Sequence, residues 1–309
     1  MQNDDSPKVT HLVVDADSDG QRIDNYLKKY LSGVPLGHIY RIIRTGQVRV
    51  NGKRIKASGR VAAGDDLRLP PLYNMEADKV AVPQSVVERL EGSVLFEDEE
   101  LVVLNKPGGL AVHGGSGLAF GIIEAMRQSR DDARLELVHR LDRETSGCLL
   151  IGKTLVATRK YQDVFRERNV LKQYRALVHG QWQVREERVS SHLSSNREIS
   201  GERMVVVDDG GKFAESFFST RNKFANATEM AVRITTGRTH QIRVHARSCG
   251  HPLIGDSKYG DKAANKHFRN NGFKRLFLHA ERLEFANGHK FEAQPDDSWN
   301  KLMKALADA

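Results

Sequence analysis

The stretch LVHRLDRETSGCLLIGK, residues 137–153, places a charged segment between two apolar runs. The run 148–151 has the length and composition of a buried strand. Charged loops between core strands are where rigid scaffolds commonly carry functional groups. Asp142 is the candidate reactive carboxylate, although for one carboxylate taken alone a structural salt-bridge loop is the favoured interpretation.

The backbone direction at this loop bears on which side chains act together. If residues 139–142 are extended, Arg140 and Asp142 share one face, while His139 and Leu141 share the other. The H-R-D sequence of protein kinase catalytic loops is similar, but Leu141 intervenes, and no kinase Gly-rich loop or D-F-G follows. The kinase interpretation is therefore discarded.

A second polar segment, TGRTHQIRVHARSCGHPLIGD, covers residues 236–256. Its alternation predicts a strand that is polar on both faces and must therefore face a cleft, an interface or a ligand. His240 and His245 would point to opposite faces of that strand, which is poor geometry for a shared metal ion. With no Cys/His or carboxylate cluster elsewhere, the sequence predicts a metal-free site.

A third segment, LNKPGGLAVHGGSG at residues 104–117, is rich in glycine. It could approach a phosphate or a base closely, but it is neither a Walker A sequence nor a dinucleotide fingerprint. On local grounds a plain turn is the favoured interpretation.

Composition and charge narrow the class of protein. The 309 residues carry a net charge of +8, and residues 20–75 alone hold 11 Lys and Arg against three acidic residues, which is also +8. A small module with the whole charge excess indicates binding to a polyanion. No apolar run approaches membrane-spanning length, the amino terminus does not resemble a signal peptide, and Cys148 and Cys249 match no metal or redox spacing. We expect a cytoplasmic protein with reduced thiols.

The basic module has recognisable local signals. Ile23, Leu27 and Leu31 recur at helical spacing, a second apolar stripe follows within residues 36–43, and Asn51-Gly52 predicts a type I′ hairpin turn. QRIDNYL, IYRIIRTGQVRVNGKRI and AGDDL resemble the S4 RNA-binding domain. That resemblance implies RNA-facing roles for the basic residues of the second helix and the hairpin, namely Arg41, Arg44, Arg49, Lys53 and Arg54.

The rest of the chain alternates short strands with helices, including a helix at 154–168 and an amphipathic helix at the carboxyl end. We predict an α+β fold, with a small S4 module and a larger domain built on a mixed, mainly antiparallel curved sheet flanked by helices. The predicted divisions are a leader at 1–19, the S4 module at 20–75, a linker with one short helix at 76–91 and a catalytic domain at 92–309.

VLNKPGGLAVHGGSG, HRLDRETSG, KQYRALV and GRTHQIRVHARSCGHPLIGD, in this order, resemble the RluA-type pseudouridine synthase family. The resemblance covers most of residues 94–295. It implies an RNA uridine isomerase that needs no cofactor, in which Asp142 acts at the ribose of a flipped-out nucleotide. The two mechanisms, attack on C1′ and removal of the 2′ proton, remain open.

The resemblance also implies roles for other residues. Arg243 would keep Asp142 ionised, Tyr174 would stack on the target base and help to remove its C5 proton, and Arg140 would support the flipped nucleotide. Further RNA contacts are expected from His113, His139, Arg238 and His240.

We expect the partner to be 23S ribosomal RNA of the large subunit, with no membrane association, and we expect a monomer. Two alternatives remain open. One is a synthase that acts on tRNA, and the other is a non-catalytic ribosome-associated protein that retains the synthase domain as a scaffold.

Overall fold

A computed structural model of the chain describes residues 9–31, 34, 36–71, 82–114, 118–199 and 202–308. The helices are α1 (Ile23–Tyr30), α2 (Leu36–Arg44), α3 (Gln84–Glu91), α4 (Ile122–Ser129), α5 (Leu155–Arg166), α6 (Gln241–Ser248), α7 (Lys262–Asn270) and α8 (Asp297–Ala307). The strands are β1 (Thr10–Val13), β2 (Arg49–Val50), β3 (Lys53–Arg54), β4 (Asp66–Leu69), β5 (Val94–Glu97), β6 (Leu101–Lys106), β7 (Glu136–Leu137), β8 (Ser146–Gly152), β9 (Val170–His179), β10 (Glu186–Ile199), β11 (Glu202–Val207), β12 (Lys212–Lys223), β13 (Ala227–Ile234), β14 (Leu278–Phe285) and β15 (Lys290–Glu292).

The amino-terminal unit packs α1 and α2 on a four-stranded sheet of order β1-β4-β2-β3. Ile23 and Leu27 are fully buried, as their helical spacing predicts. Asn51 and Gly52 have φ values of 48° and 76° between β2 and β3. Two consecutive positive φ angles define the type I′ turn, so the predicted hairpin is confirmed.

Two elements extend beyond the predicted domain divisions. β1 lies within the expected leader, yet it pairs antiparallel with β4, so the small sheet begins earlier in the chain. α3 lies within the expected linker, and its Leu90 is buried in the same core as Met126 of α4. Part of that linker is therefore core structure. Residues 1–8 and 72–81 of the leader and linker lie outside the described residues.

The larger sheet follows the order β11-β10-β12-β13-β9-β14-β8-β6-β5, with β15 on β14 and β7 on β8. β14 is parallel to β8 and antiparallel to β9, and the other pairs are antiparallel. The prediction of a mixed, mainly antiparallel sheet with flanking helices is confirmed.

Both faces of the sheet are covered at its centre. Every residue of β8 is buried. Leu149 packs in the core beneath α3 and α4, while Leu150 packs in the core beneath α5. A strand buried on both faces reads as a continuous apolar run rather than an alternating one, which explains the sequence at 148–151.

The polar segment after Gly237 differs from its prediction. Residues Gln241–Ser248 form helix α6, not a strand, so the predicted alternation of faces is wrong. Gln241, Arg243 and His245 are buried together with their apolar neighbours. Polar side chains that are hydrogen-bonded inside the protein occupy the buried face of this helix. The sequence therefore lacks the apolar repeat by which a helix is normally recognised.

The two units touch beside α5. The Arg159 guanidinium donates a hydrogen bond to the carbonyl oxygen of Asp19. Among the described residues, no helix is long and apolar enough to cross a bilayer.

Candidate active site

A cleft of about 680 Å³ opens beside the junction of β8, β14 and β9. Its walls include the loop 140–145, residues 111–114 and the segment 237–243. Tyr174 of β9 lines it as well. The structure therefore brings together all three polar segments that the sequence singles out.

Asp142 lies in the loop between β7 and β8 with its side chain 25% exposed to the cleft. Two basic side chains lie near its Oδ2, with Arg243 Nη1 at 3.6 Å and the His240 ring nitrogen Nε2 at 3.9 Å. Both distances exceed those of a hydrogen bond. The carboxylate therefore has the charge of Arg243 beside it and is still open to a ligand.

Arg243 makes its hydrogen bonds to a different carboxylate. Its Nε and Nη2 donate to Asp256 at 2.8 and 2.7 Å, and both side chains are almost fully buried. Burial opposes ionisation of the carboxyl, but the hydrogen bonds and charge of Arg243, together with the Tyr259 and Lys258 amides, outweigh it and lower the pKa of Asp256. The expected pairing of Arg243 with Asp142 is thus a secondary contact, since Asp256 fixes the guanidinium and leaves Nη1 toward the cleft.

A buried lysine supports the loop from below. Lys106 Nζ donates to the carbonyl oxygens of Pro107, Arg143 and Thr145 at 3.0, 2.9 and 2.7 Å. Burial lowers the pKa of Lys106 to about 7. By binding the backbone oxygens of Arg143 and Thr145, just after Asp142, this side chain fixes the loop that carries the carboxylate.

Tyr174 is half-buried on β9 and packs against two hydrophobic clusters at once. Burial raises the pKa of its phenol, and the charge of Asp142 raises it further. The ring is therefore a neutral aromatic surface beside the carboxylate.

Comparison with known proteins shows the family to which the chain belongs. Residues 100–248 match the RNA pseudouridylate synthase family, and residues 21–67 match the S4 domain. The chain is 46% identical to ribosomal large subunit pseudouridine synthase C of Haemophilus influenzae, covering 97% of this chain and 96% of that protein. It is 44% identical to the protein of the same name from Escherichia coli strain K12, covering 99% of each. The chain belongs to the RNA pseudouridine synthase family.

Solved structures agree on the fold of this synthase. Human RNA pseudouridylate synthase domain containing 4 superposes with a TM-score of 0.60 at 24% identity, covering 72% of the synthase and 95% of the human chain. Human RNA pseudouridylate synthase domain containing 1 gives a TM-score of 0.57 at 23% identity, covering 72% and 96%. At these low identities the likeness shows a shared fold and nothing more.

Four residues predicted to contact RNA line the cleft of the synthase. Arg140 and His113 are exposed at its rim, and Arg238 is anchored by a hydrogen bond from its Nε to the Phe213 carbonyl oxygen at 3.1 Å. His240 stands at the start of α6, beside Asp142. Their contacts with RNA remain predictions.

His139 lies apart from the cleft lining. Its Nε2 accepts a hydrogen bond from the Leu150 amide at 3.2 Å, and its ring stacks on Phe165 with centroids 4.6 Å apart. Burial lowers the pKa of His139 to about 3, so the ring is neutral. This placement supports a packing role, and the predicted RNA contact by His139 gains no support.

The basic residues of the S4 module remain at its surface. Arg41 and Arg44 are exposed on α2, as are Lys53 and Arg54 on β3, whereas Arg49 is half-buried with its Nε bonded to the Gly46 carbonyl oxygen. Four of the five are therefore free to reach a phosphate backbone. The RNA contacts themselves stay predictions.

Two residues that support the site were missed from the sequence: Lys106, which binds the loop backbone, and Asp256, which fixes Arg243. Asp256 and Lys106 stand in the very motifs that were read, but partners 13 and 37 residues distant in sequence give them their roles. A buried charge with a distant partner leaves no local signal. Within the ranges that the structure describes, no group of three or more His, Cys, Asp or Glu side chains could hold a metal ion.

Proposed function

We propose that this synthase converts specific uridines of large-subunit ribosomal RNA into pseudouridine, with Asp142 as its reactive carboxylate. The relatives that carry this activity in their names match nearly the whole chain, including the S4 module. The single observation that carries the residue assignment is the Asp142 carboxylate, accessible in the cleft and flanked by Arg243 and His240.

The reaction breaks the bond between N1 of uracil and C1′ of ribose, turns the base, and joins C5 to C1′. The C5 proton leaves and N1 takes up a proton, so the product is an isomer of the substrate. Asp142 either bonds to C1′ or removes the 2′ proton. Both routes require an ionised carboxylate beside the ribose, and a nearby cation favours that form. Arg243 supplies this cation, held in place by Asp256.

The target nucleotide must leave its stack to reach Asp142. Arg140, exposed at the rim, is suited to support the flipped nucleotide through its phosphate. Tyr174 offers its ring for stacking. Its raised pKa keeps the phenol protonated near neutral pH, which favours stacking over removal of the C5 proton by a phenolate.

The test compares the purified wild-type protein with Asp142→Asn on large-subunit ribosomal RNA and on tRNA. The substitution removes the charge and keeps the shape. We expect pseudouridine formation in ribosomal RNA to be abolished while affinity for RNA stays within a few fold, because phosphate contacts supply most of the affinity.

Each other outcome has a definite meaning. Substantial turnover by Asp142→Asn would remove Asp142 from the mechanism. Turnover of tRNA alone would redirect the enzyme to that substrate, and binding of ribosomal RNA without turnover by the wild type would support a scaffold. Mapping pseudouridines in cells with and without the gene identifies the modified positions.

We further infer that the synthase works as a monomer in the cytoplasm. Both cysteines are unpaired, in agreement with a reducing compartment. Sedimentation of the purified protein at micromolar concentration should show one 34.7 kDa species. A larger species would overturn the monomer.

A further inference from the structure

His240 occupies an unusual position at the first residue before α6. Its backbone is left-handed, with φ 55° and ψ 17°, and its side chain makes no capping hydrogen bond to the helix. Left-handed backbone is uncommon outside glycine and concentrates at functional sites. The turn is held by Gln241, whose Oε1 accepts from the Thr236 hydroxyl at 2.7 Å and the Arg238 amide at 3.1 Å. The imidazole is thereby held in the cleft rather than over the helix end.

Tyr259 fixes which nitrogen of His240 carries a proton. The Tyr259 hydroxyl accepts from the Val205 amide at 2.9 Å and lies 2.8 Å from His240 Nδ1. In the described part of the chain, Nδ1 is the acceptor within reach of the hydroxyl proton of this buried tyrosine. Because buried hydroxyls use their protons, Tyr259 donates to Nδ1. A neutral imidazole then carries its proton on Nε2.

Burial of the ring favours the neutral form. Burial lowers the pKa of His240, and Arg243 and Lys258 lower it further, whereas Asp142 and Asp256 act in the opposite direction. The protonated Nε2 lies 3.9 Å from Asp142 Oδ2. This distance is too long for a hydrogen bond, so the donor is not bound to that carboxylate. A substrate oxygen placed beside the carboxylate would bring this donor into use.

We propose that His240 is a catalytic residue that donates its Nε2 proton in a hydrogen bond to an oxygen of the target nucleotide next to C1′, and that Tyr259 is the positioning residue that selects this tautomer. Of the oxygens near C1′, the candidates are the uracil O2 and the ribose 2′ hydroxyl, because the ring oxygen O4′ gains positive charge as the glycosidic bond breaks. Either would gain negative charge as the glycosidic bond breaks or as the 2′ proton is removed. A fixed neutral donor stabilises such charge without reorganisation. The proposal rests on the proposed function of the Asp142 site.

The matched variants are His240→Asn and His240→Gln. Asparagine tolerates left-handed backbone and keeps an acceptor near Nδ1 for Tyr259, but it has no donor at the Nε2 position. Glutamine places an amide donor near Nε2. In single-turnover assays on large-subunit ribosomal RNA, we expect His240→Asn to lose about 10²-fold in rate at nearly unchanged Kd and Tm, as for other fixed donors. His240→Gln should recover a substantial part of that loss.

The role of Tyr259 is measured by the ¹⁵N NMR signals of the His240 ring. Wild-type protein should show neutral imidazole with the proton on Nε2, and Tyr259→Phe should populate the other tautomer and turn over more slowly. Because this readout needs no substrate, it stands apart from the choice of RNA. Substrates that carry 2-thiouridine or 2′-deoxyuridine at the target show which oxygen His240 contacts. Only when the contacted oxygen is replaced should wild type and His240→Asn react at the same rate.

Two results would overturn the proposal. One is a wild-type proton on Nδ1, or an imidazolium, in the NMR spectrum. The other is a full rate for His240→Asn. If wild-type protein shows the Nε2 tautomer yet modifies no ribosomal RNA, the proposed function fails while the assignment of the tautomer stands.

Discussion

Arg243 serves two carboxylates of very different exposure. Asp256 is fully buried and takes two short hydrogen bonds, whereas Asp142 is partly exposed and takes none from it. The sequence predicted Arg243 as the cation beside Asp142, and the two side chains lie 3.6 Å apart, but it did not predict the hydrogen-bonded partner Asp256. The omission has a physical cause, because a local pattern shows which residues are polar and not which distant carboxylate neutralises a buried cation.

We predict strong coupling between Arg243 and Asp256 in a double-mutant cycle of unfolding free energy. Arg243→Met should destabilise by roughly 3–5 kcal/mol, because it leaves Asp256 buried and uncompensated. Adding Asp256→Asn, which keeps an acceptor for the Lys258 and Tyr259 amides, should recover much of that loss. Denaturant titration provides the measurement.

The control cycle pairs Arg243→Met with Asp142→Asn. Its coupling should be below about 1 kcal/mol, since a partly exposed pair at 3.6 Å is screened by solvent. A larger coupling to Asp142 than to Asp256 would contradict the arrangement of charges described for the site.

Lys106 should make stability depend on pH. Its pKa falls from an ordinary value near 10.5 to about 7 in the folded protein. Between these values the unfolded chain binds more protons, so stability should rise with pH by up to about 1.4 kcal/mol per unit above pH 7. Denaturant melts from about pH 7 to pH 9 should show this rise in the wild type. Lys106→Met should lack it, and equal slopes would disprove the depressed pKa.

Among the elements, those decided by a few neighbouring residues were predicted correctly from the sequence, whereas the helix with buried polar residues was not. The β2–β3 hairpin followed from Asn51-Gly52 because a two-residue turn is decided by its own backbone. Helix α6 was missed because Gln241, Arg243 and His245 find their partners on β10, β12 and the loop at Asp256. The alternation that suggested a strand was fortuitous.

β8 and β14 approach so closely that Gly147 has no substitute. Its φ is 111°, and a Cβ there would overlap the backbone of Ala280. We expect Gly147→Ala to lower stability by about 3 kcal/mol or more and to misplace the neighbouring loop that carries Asp142. Gly288→Ala is the matched control, with φ 89° and open space around it. Similar losses in both variants would assign the cost to backbone strain alone.

Across the whole molecule, charge is divided unevenly between the two units. Residues 20–75 hold a net +8, so the S4 module is the expected source of long-range attraction to RNA. This division was visible in the sequence because charge, unlike packing, can be counted without knowing the fold.

Arg41→Gln with Arg44→Gln should flatten the dependence of RNA affinity on salt. Each lost phosphate contact reduces the slope of log K against log salt by about 0.7 to 0.9, so the pair should reduce it by about 1.4 to 1.8. Lys301→Gln with Lys304→Gln, exposed on α8 of the other unit, is the control with equal charge loss. Filter binding at several salt concentrations measures both. Equal slopes for the two variants would show that the S4 module is not the docking surface.

The position of β14 has a consequence for how the chain is made. This strand lies between β8 and β9, although it is synthesised about 100 residues after β9. A nascent chain that has not yet released residues 278–285 from the ribosome carries two unsatisfied strand edges at the centre of its sheet, and open edges invite pairing with other chains. The centre of the sheet closes only after residues 278–285 have left the ribosome. Messages truncated before this strand should therefore yield aggregated, inactive protein, even though they encode Asp142, Tyr174 and Arg243 in full.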